Sequence, residues 1–269
     1  MTRAYGKIRV DLRAASERPP SVLWITLSNA SRRNAIGVQM TNELLWALED
    51  AQDDASVRVV VITGDDEGKA FCAGGDFSQM TGASADDSAL PNKGDYADLM
   101  LAMMRFEKPI VACVNGAAMG GGLGIVAASH FAIAQSDAKL GTPEVDVGLF
   151  PFMIAAVLAR IVPRRALLDM MLRGRKLEAA EAERAGIVSR VVAPEKLMGE
   201  VHALCDDLSQ RSPTALRLGL RAFAAQDDLD LERALPMLRD KLAEALGTED
   251  AREGLTAFLQ KRKPQWTGH

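Results

Sequence analysis

Two glycine-rich turns are the first features of this 269-residue sequence that could do chemistry. Residues 71–76 are FCAGGD, and residues 115–124 are NGAAMGGGLG. Because glycine has no Cβ, such turns can bring backbone N–H groups against a ligand, and the first N–H groups of a helix have no intrahelical acceptor. Two such turns that converge would form an oxyanion hole from the backbone alone. The same glycines could instead serve close packing between a strand and a helix, and both interpretations stay open.

A carboxylate within an apolar segment is the third feature. Glu144 lies in residues 142–152 (TPEVDVGLFPF), among valine, leucine and phenylalanine. An apolar setting raises the pKa of a carboxyl group toward neutrality, which suits a group that takes up and returns protons. The alternative is an acidic turn residue that caps a helix beginning near Pro151.

Composition excludes several other classes of function. The formal net charge is −4, whereas nucleic-acid-binding proteins usually carry a basic face, so no nucleic-acid partner is expected. Only three histidines occur, none near a plausible partner, which disfavours Ser-His-Asp and Cys-His catalysis. His130 is expected to be a satisfied packing residue. No HExxH, Walker A or EF-hand spacing occurs, so no metal site is expected.

The cysteines and the apolar segments indicate where the protein works. Cys72, Cys113 and Cys205 are widely spaced and form no CxxC pair, which predicts a reducing compartment, the cytoplasm. Residues 109–136 carry no charged side chain and could suggest a membrane span. Their polar residues and glycine cluster favour a buried strand–turn–helix–strand instead, so no membrane partner is expected.

Alternating strand and helix patterns position these features. Helices are predicted at 38–51, 95–106 and 121–129, and strands at 8–12, 22–27, 58–63, 110–114 and 131–134. This order predicts an α/β fold with right-handed crossovers and a largely parallel sheet. Residues 1–195 are interpreted as an α/β core and 196–269 as a helical region with helices at 195–209, 213–225, 229–246 and 249–263. Residues 81–95 are predicted to form a mobile loop.

A dinucleotide fingerprint is matched only weakly. Gly122, Gly124 and Ala127 have the spacing, but the nearest following acid, Asp137, comes 13 residues after Gly124, whereas such sites place it about 20 residues on. A nicotinamide-dependent oxidoreductase is therefore a disfavoured alternative.

Taken together, six segments resemble the crotonase (enoyl-CoA hydratase/isomerase) superfamily, in the expected order and over essentially the whole chain. They are residues 34–36 (NAI), 71–76 (FCAGGD), 115–122 (NGAAMGGG), 142–148 (TPEVDVG), 179–188 (AAEAERAGIV) and 258–263 (FLQKRK). The resemblance implies a crotonase-like spiral of ββα units with a C-terminal helical region, and a homotrimer or a dimer of trimers. It also implies an acyl-CoA thioester substrate and no cofactor apart from the coenzyme A that the substrate carries.

The resemblance also assigns roles to residues. Glu144 would be the catalytic carboxylate, with the N–H groups of Ala73 and Gly121 as the two oxyanion donors. Lys261 would contact a phosphate of coenzyme A, either within its own subunit or across a subunit boundary. For Arg32 and Arg33, the alternative is a solvated position in a surface turn. The full set of predicted substrate-binding residues is Arg32, Arg33, Gly74, Asp76, Gly120, Phe150, Phe258 and Lys261.

One departure from the family pattern bears on the reaction. Hydratases of the family carry a first glutamate shortly after the triple glycine, where this chain has Gly124. A single carboxylate favours a double-bond isomerase, which needs only one base to remove a proton and return it elsewhere on the acyl chain. The alternatives are a hydratase, in which Asp146 could supply the second acid, and a non-catalytic acyl-CoA binder.

Overall fold

The computed structural model describes residues 3–14, 20–76, 78 and 89–269. Residues 81–88 of the segment predicted to be a mobile loop lie outside this part. The strands are β1 (Ile8–Ala14), β2 (Pro20–Leu27), β3 (Val59–Gly64), β4 (Ile110–Val114), β5 (Ala118–Met119), β6 (Phe131–Gln135), β7 (Lys139–Gly141), β8 (Lys176–Glu178) and β9 (Arg190–Val192). The helices are α1 (Val38–Asp53), α2 (Tyr96–Met104), α3 (Gly121–Ala128), α4 (Phe152–Ile161), α5 (Arg164–Arg173), α6 (Ala179–Arg184), α7 (Leu197–Ser209), α8 (Pro213–Gln226), α9 (Leu231–Leu246) and α10 (Glu249–Leu259).

The strands form two sheets. The larger has the order β1-β2-β3-β4-β6-β9, with β1 antiparallel to β2 and all other neighbours parallel. The smaller has the order β5-β7-β8. The predicted α/β class and largely parallel sheet are therefore confirmed. The two- and three-residue strands were not predicted, because segments that short show no hydrophobic period.

The large sheet is covered on both faces, as its continuous apolar strands predict. Successive side chains of β3 alternate between the faces: Val60 and Ile62 pack with α1 and α3 in one cluster, and Val59 and Val61 pack in the other. Residues of α7 complete the second cluster. The uncharged run 109–136 forms β4, β5, α3 and β6, as predicted. None of the helices described is long and apolar enough to cross a membrane.

The C-terminal region is helical, as predicted. Its first helix, α7, lies directly on β2, β3, β4 and β6, so it belongs to the packing of the sheet. The following helices α8, α9 and α10 pack on one another. The boundary at residue 195 stays a prediction.

Candidate functional site

The first glycine turn is held by a buried asparagine. Asn34 has positive φ, is fully buried, and accepts through its side chain from Asn29 N–H (3.2 Å). Its amide nitrogen donates to the carbonyls of Asp65 (3.0 Å) and Ala70 (2.8 Å). Asn34 therefore fixes the chain that leads into residues 71–76, which explains why this residue type occupies the position.

Replacing Asn34 by alanine is expected to destabilise the protein by at least about 2 kcal/mol, because each buried backbone group left without a partner costs roughly 1–3 kcal/mol. Urea unfolding measures this. Arg32→Ala, an exposed neighbour in the same turn, is the control and should stay within about 0.5 kcal/mol of the wild type. Equal stabilities of the two variants would contradict the role given to Asn34.

A single bridge orients the peptide groups of the first turn. Ile36 donates its N–H to Gly74 O (2.8 Å), and its carbonyl accepts from Asp76 N–H (2.8 Å). The bridge pairs Ile36 with Gly75. The N–H and carbonyl groups of Gly75 therefore point away from Ile36. No acceptor for the Gly75 N–H occurs among the described residues. Gly74 has φ +110°, a conformation that favours glycine.

This geometry corrects one donor implied by the resemblance. The N–H of Ala73 donates to the carbonyl of Arg33 at 3.1 Å. It is used within the protein and is not free to bind a substrate oxygen. The N–H of Gly75, two residues on, has no acceptor among the described residues and points away from the bridge to Ile36.

The second glycine turn begins α3 and lies beside the first. Cys72 N–H donates to Ala117 O (3.1 Å), and Met119 N–H donates to Cys72 O (2.9 Å), so the two turns are joined. Gly120 precedes α3 with φ +48°, and Gly121 is the first residue of the helix. The Gly121 N–H therefore lacks an intrahelical acceptor and lies at the positive end of the helix dipole.

Glu144 lies between the two turns. A Cβ added to Gly120 would lie 2.8 Å from the Oε1 atom of Glu144 and 3.7 Å from the Cα atom of Gly74. The glycines are thus required where the carboxyl group approaches. Oε2 of Glu144 is buried and has no hydrogen-bond partner among the described residues, and the same holds for Oγ1 of the neighbouring Thr142. Burial raises the pKa of Glu144 above its usual value of 4.5.

The raised pKa of Glu144 predicts a pH-dependent stability difference. The carboxyl group holds its proton more tightly in the folded than in the unfolded protein. Its ionised form therefore destabilises the folded state at neutral pH, and this destabilisation disappears as the pH falls through the raised pKa. Glu144→Gln is therefore expected to melt above the wild type at pH 7.5 and level with it near pH 4. The difference in Tm should therefore shrink as the pH is lowered from 7.5 to 4. A lower melting temperature at pH 7.5 would contradict the account of Glu144.

The backbone of the segment that carries Glu144 decides where its two acids point. Residues Pro143–Val147 form a 3-10 helix. With three residues per turn, side chains two apart point in different directions. Asp146 is accordingly exposed, and its Oδ1 atom lies 2.8 Å from where a Cβ on Gly174 would be. The structure therefore does not bring Asp146 to Glu144 as a second acid.

The predicted apolar surroundings of Glu144 are also only partly present. Phe150 is half-buried, but its neighbour Phe152 is 77% exposed, and Val147 and Leu149 are exposed as well. The carboxyl group of Glu144 lies instead against Gly120 of the second glycine turn. The assignment of Phe150 to the acyl pocket stays a prediction.

The predicted coenzyme A contacts lie in two places. Arg32 and Arg33 are exposed in the turn before Asn34. Asp76 is buried, and its carboxylate accepts from Ser78 N–H (3.1 Å) and Oγ (2.6 Å), a local structural role. Phe258, which is 80% exposed, and Lys261 lie at the end of α10, which packs on α8 and α9. Their contribution to the site stays a prediction.

The remaining glycines of the second turn serve packing. A Cβ on Gly122 would lie 2.5 Å from Cβ of Cys72, and one on Gly124 would lie 2.1 Å from the hydroxyl oxygen of Tyr96. Both residues lie within α3, so they do not form the phosphate-facing turn of a dinucleotide site. His130 accepts from Ile110 N–H (2.9 Å), which satisfies it as predicted.

Tyr96 is the site residue that sequence reasoning missed. Its hydroxyl donates to Gly121 O at 2.6 Å, and its ring lies 3.4 Å from where a Cβ on Gly121 would be. The only sequence signal was indirect: Gly124 occupies the position at which the resemblance implies a glutamate in hydratases, which leaves a space that another side chain must fill.

Comparisons with known proteins agree with this geometry. A family model described as enoyl-CoA hydratase/isomerase matches residues 17–269. The chain belongs to this family. It is 35% identical over 251 residues to a putative enoyl-CoA hydratase of Thermus thermophilus, covering 91% of this chain and 97% of the relative. It is also 36% identical over 239 residues to a probable enoyl-CoA hydratase of Bacillus subtilis, covering 87% and 91%.

Solved structures of family members have the same fold. An enoyl-CoA hydratase from Mycobacterium smegmatis superposes with a TM-score of 0.87 at 31% identity, covering 97% of this chain and 99% of that chain. Human enoyl-CoA hydratase domain-containing protein 3 superposes with a TM-score of 0.87 at 29% identity, covering 97% of this chain and 100% of that chain. The predicted crotonase-like fold is thus confirmed, and the chain is an enzyme of the enoyl-CoA hydratase/isomerase family.

Proposed function

We propose that this family member shifts a double bond of an enoyl-CoA, with Glu144 as its only proton-transferring group. The observation that carries the proposal is that neither position suggested for a second acid, 124 or 146, brings a carboxylate to Glu144. Position 124 has no side chain, and the space where one would begin holds the Tyr96 hydroxyl. Asp146 points elsewhere. Hydration needs a base for water and an acid for the α-carbon, whereas isomerisation needs one group that does both tasks in turn.

The proposed reaction moves one proton and no water. Glu144, as carboxylate, removes a proton from C2 of a 3-enoyl-CoA, and the electrons of that C–H bond delocalise into a dienolate with negative charge on the thioester oxygen. Protonated Glu144 then returns the proton to C4. The double bond moves from C3–C4 to C2–C3, and the carboxylate is regenerated.

Two backbone donors stabilise the dienolate in this proposal. They are the N–H groups of Gly75 and Gly121, which replaces the pairing of Ala73 with Gly121 expected from the resemblance. Both N–H groups lack a partner among the described residues, and Gly121 adds the positive end of the α3 dipole. No cofactor takes part beyond the coenzyme A of the substrate.

Product analysis tests the proposal against a hydratase, the activity named for the relatives. A trans-3-enoyl-CoA and, separately, a trans-2-enoyl-CoA are incubated with the enzyme, and product mass and conjugated-thioester absorbance are followed. Conjugation of the 3-enoyl substrate at unchanged mass is expected. A gain of one water by the 2-enoyl substrate without isomerisation would establish the hydratase. Binding of both substrates without turnover would leave a non-catalytic acyl-CoA binder.

A homo-oligomer is part of the proposal. Leu231, Leu235, Leu242 and Leu246 lie on one stripe of α9, and each is more than half exposed. Such a stripe on a surface helix indicates a covered interface. Light scattering is expected to give three or six times the chain mass of 28.9 kDa, and Leu235→Glu should lower that mass. A monomeric wild type would contradict the homotrimer or dimer of trimers.

We also propose a cytoplasmic location. The three cysteines of the chain are free and buried, which suits a reducing compartment.

A further inference from the structure

The side chain of Tyr96 occupies the space that a side chain at position 124 would need. A Cβ on Gly124 would lie 2.1 Å from the Tyr96 hydroxyl oxygen and 2.6 Å from Cγ2 of Ile154. Atoms that are not bonded do not approach so closely. While Tyr96 keeps this position, no side chain fits at residue 124.

The position of Tyr96 is fixed at both ends of the side chain. Tyr96 is the first residue of α2. The preceding residue, Asp95, caps this helix, because its side chain accepts from Ala97 N–H (2.8 Å) and Asp98 N–H (3.2 Å). The Tyr96 hydroxyl donates to Gly121 O at 2.6 Å. The ring therefore lies against the first turn of α3, which also carries the proposed oxyanion donor Gly121.

The chemistry of this phenol differs from that of a carboxylate. Burial raises the pKa of Tyr96 well above 10, and the charge of Glu144 raises it further. The group stays neutral, and its hydrogen is directed to a backbone carbonyl. A neutral phenol does not act as the base that a carboxylate would provide. Both side chains lie at the start of α3, where Glu144 approaches Gly120 and the Tyr96 ring approaches Gly121.

We propose that Tyr96 determines the reaction type by filling the place beside Glu144 where a second carboxylate and its water would otherwise lie. The proton taken up by Glu144 is then returned to the substrate before it exchanges with solvent. Tyr96 is a specificity-determining residue in this account and not a proton donor to the substrate. The inference rests on the proposed isomerase function.

Isomerisation in D₂O tests this role through the fraction of product that is deuterated. This fraction does not depend on the amount of folded enzyme. The fraction of product that carries deuterium is measured by mass spectrometry under initial-rate conditions. Exclusion of water limits proton leakage, so Tyr96→Ala is expected to raise this fraction at least about threefold. Tyr96→Phe keeps the ring and loses only the hydroxyl beside Gly124, so a smaller rise than in Tyr96→Ala is expected. If Tyr96→Ala does not fold, Tyr96→Leu removes the ring with a smaller change and carries the same expectation.

An unchanged deuterium fraction in the folded ring-deletion variant would overturn the inference, as would an equal rise in Tyr96→Phe. A wild type that forms no conjugated product is a separate outcome and refutes the proposed function. Thermal unfolding gives a readout that needs no activity. Gly124→Ala should lower Tm more in the wild type than in Tyr96→Ala, where only the contact with Cγ2 of Ile154 remains. Equal losses of Tm in both backgrounds would refute the fit between Tyr96 and Gly124.

Discussion

Glu144→Gln is expected to lower kcat for double-bond migration by roughly 10²–10⁴-fold, the usual contribution of a general acid–base group. The amide has nearly the same shape but neither removes a proton from C2 nor returns one to C4. Glu144 is not among the residues proposed to contact coenzyme A, so the Kd for an acyl-CoA should change little. Stopped-flow absorbance of the conjugated thioester measures the rate, and calorimetric titration measures the Kd.

Asp146→Asn is the matched control for Glu144→Gln. It neutralises a carboxylate two residues away in the same 3-10 helix, but one that is exposed and directed to Gly174. Its rate should stay within about twofold of the wild type, since surface changes away from the site have small effects. A large loss in Asp146→Asn with a small loss in Glu144→Gln would reverse the assignment.

The second large effect is expected from the backbone donor of Gly121. Gly121→Pro removes this N–H at the first helical position, where proline is tolerated because that N–H has no helical partner. The variant is expected to lose at least about 10²-fold in kcat/KM, the effect of removing one oxyanion-hole donor.

Gly121→Ala isolates the donor from the added bulk. It places a Cβ in the same position, 3.0 Å from Cγ2 of Ile36, but keeps the N–H. The comparison that counts is therefore proline against alanine, with circular dichroism to confirm that both variants fold. Rates within tenfold of each other in two folded variants would show that Gly121 N–H does not stabilise the transition state.

Much of the fold could be predicted from the sequence because its buried strands are continuous runs of apolar residues. Residues Val59–Gly64 and Ile110–Val114 are buried on both faces of the sheet. Their apolar sequences predict strands at these places. The short strands β5, β7 and β8 could not be predicted, since two or three residues carry no period. They form through pairing with one another, which only tertiary structure provides.

The residue types of the site could be predicted from the sequence. The directions in which its backbone N–H groups and side chains point could not. The glycine turns and Glu144 were found from motifs, but which N–H groups are free depends on the bridge between Ile36 and Gly75. Sequence spacing could not show that the Ala73 N–H is used by Arg33 O. The proximity of Tyr96 to Gly124 is likewise a consequence of how α2 packs on α3.

The central claim is that one group carries one proton from C2 to C4 of the acyl chain. The most direct measurement uses a 3-enoyl-CoA with deuterium at both C2 positions, converted in H₂O under single-turnover conditions. The account predicts that deuterium appears at C4 of the 2-enoyl product, and that Glu144→Gln abolishes this transfer. A product with hydrogen alone at C4, or a product heavier by one water, would contradict it.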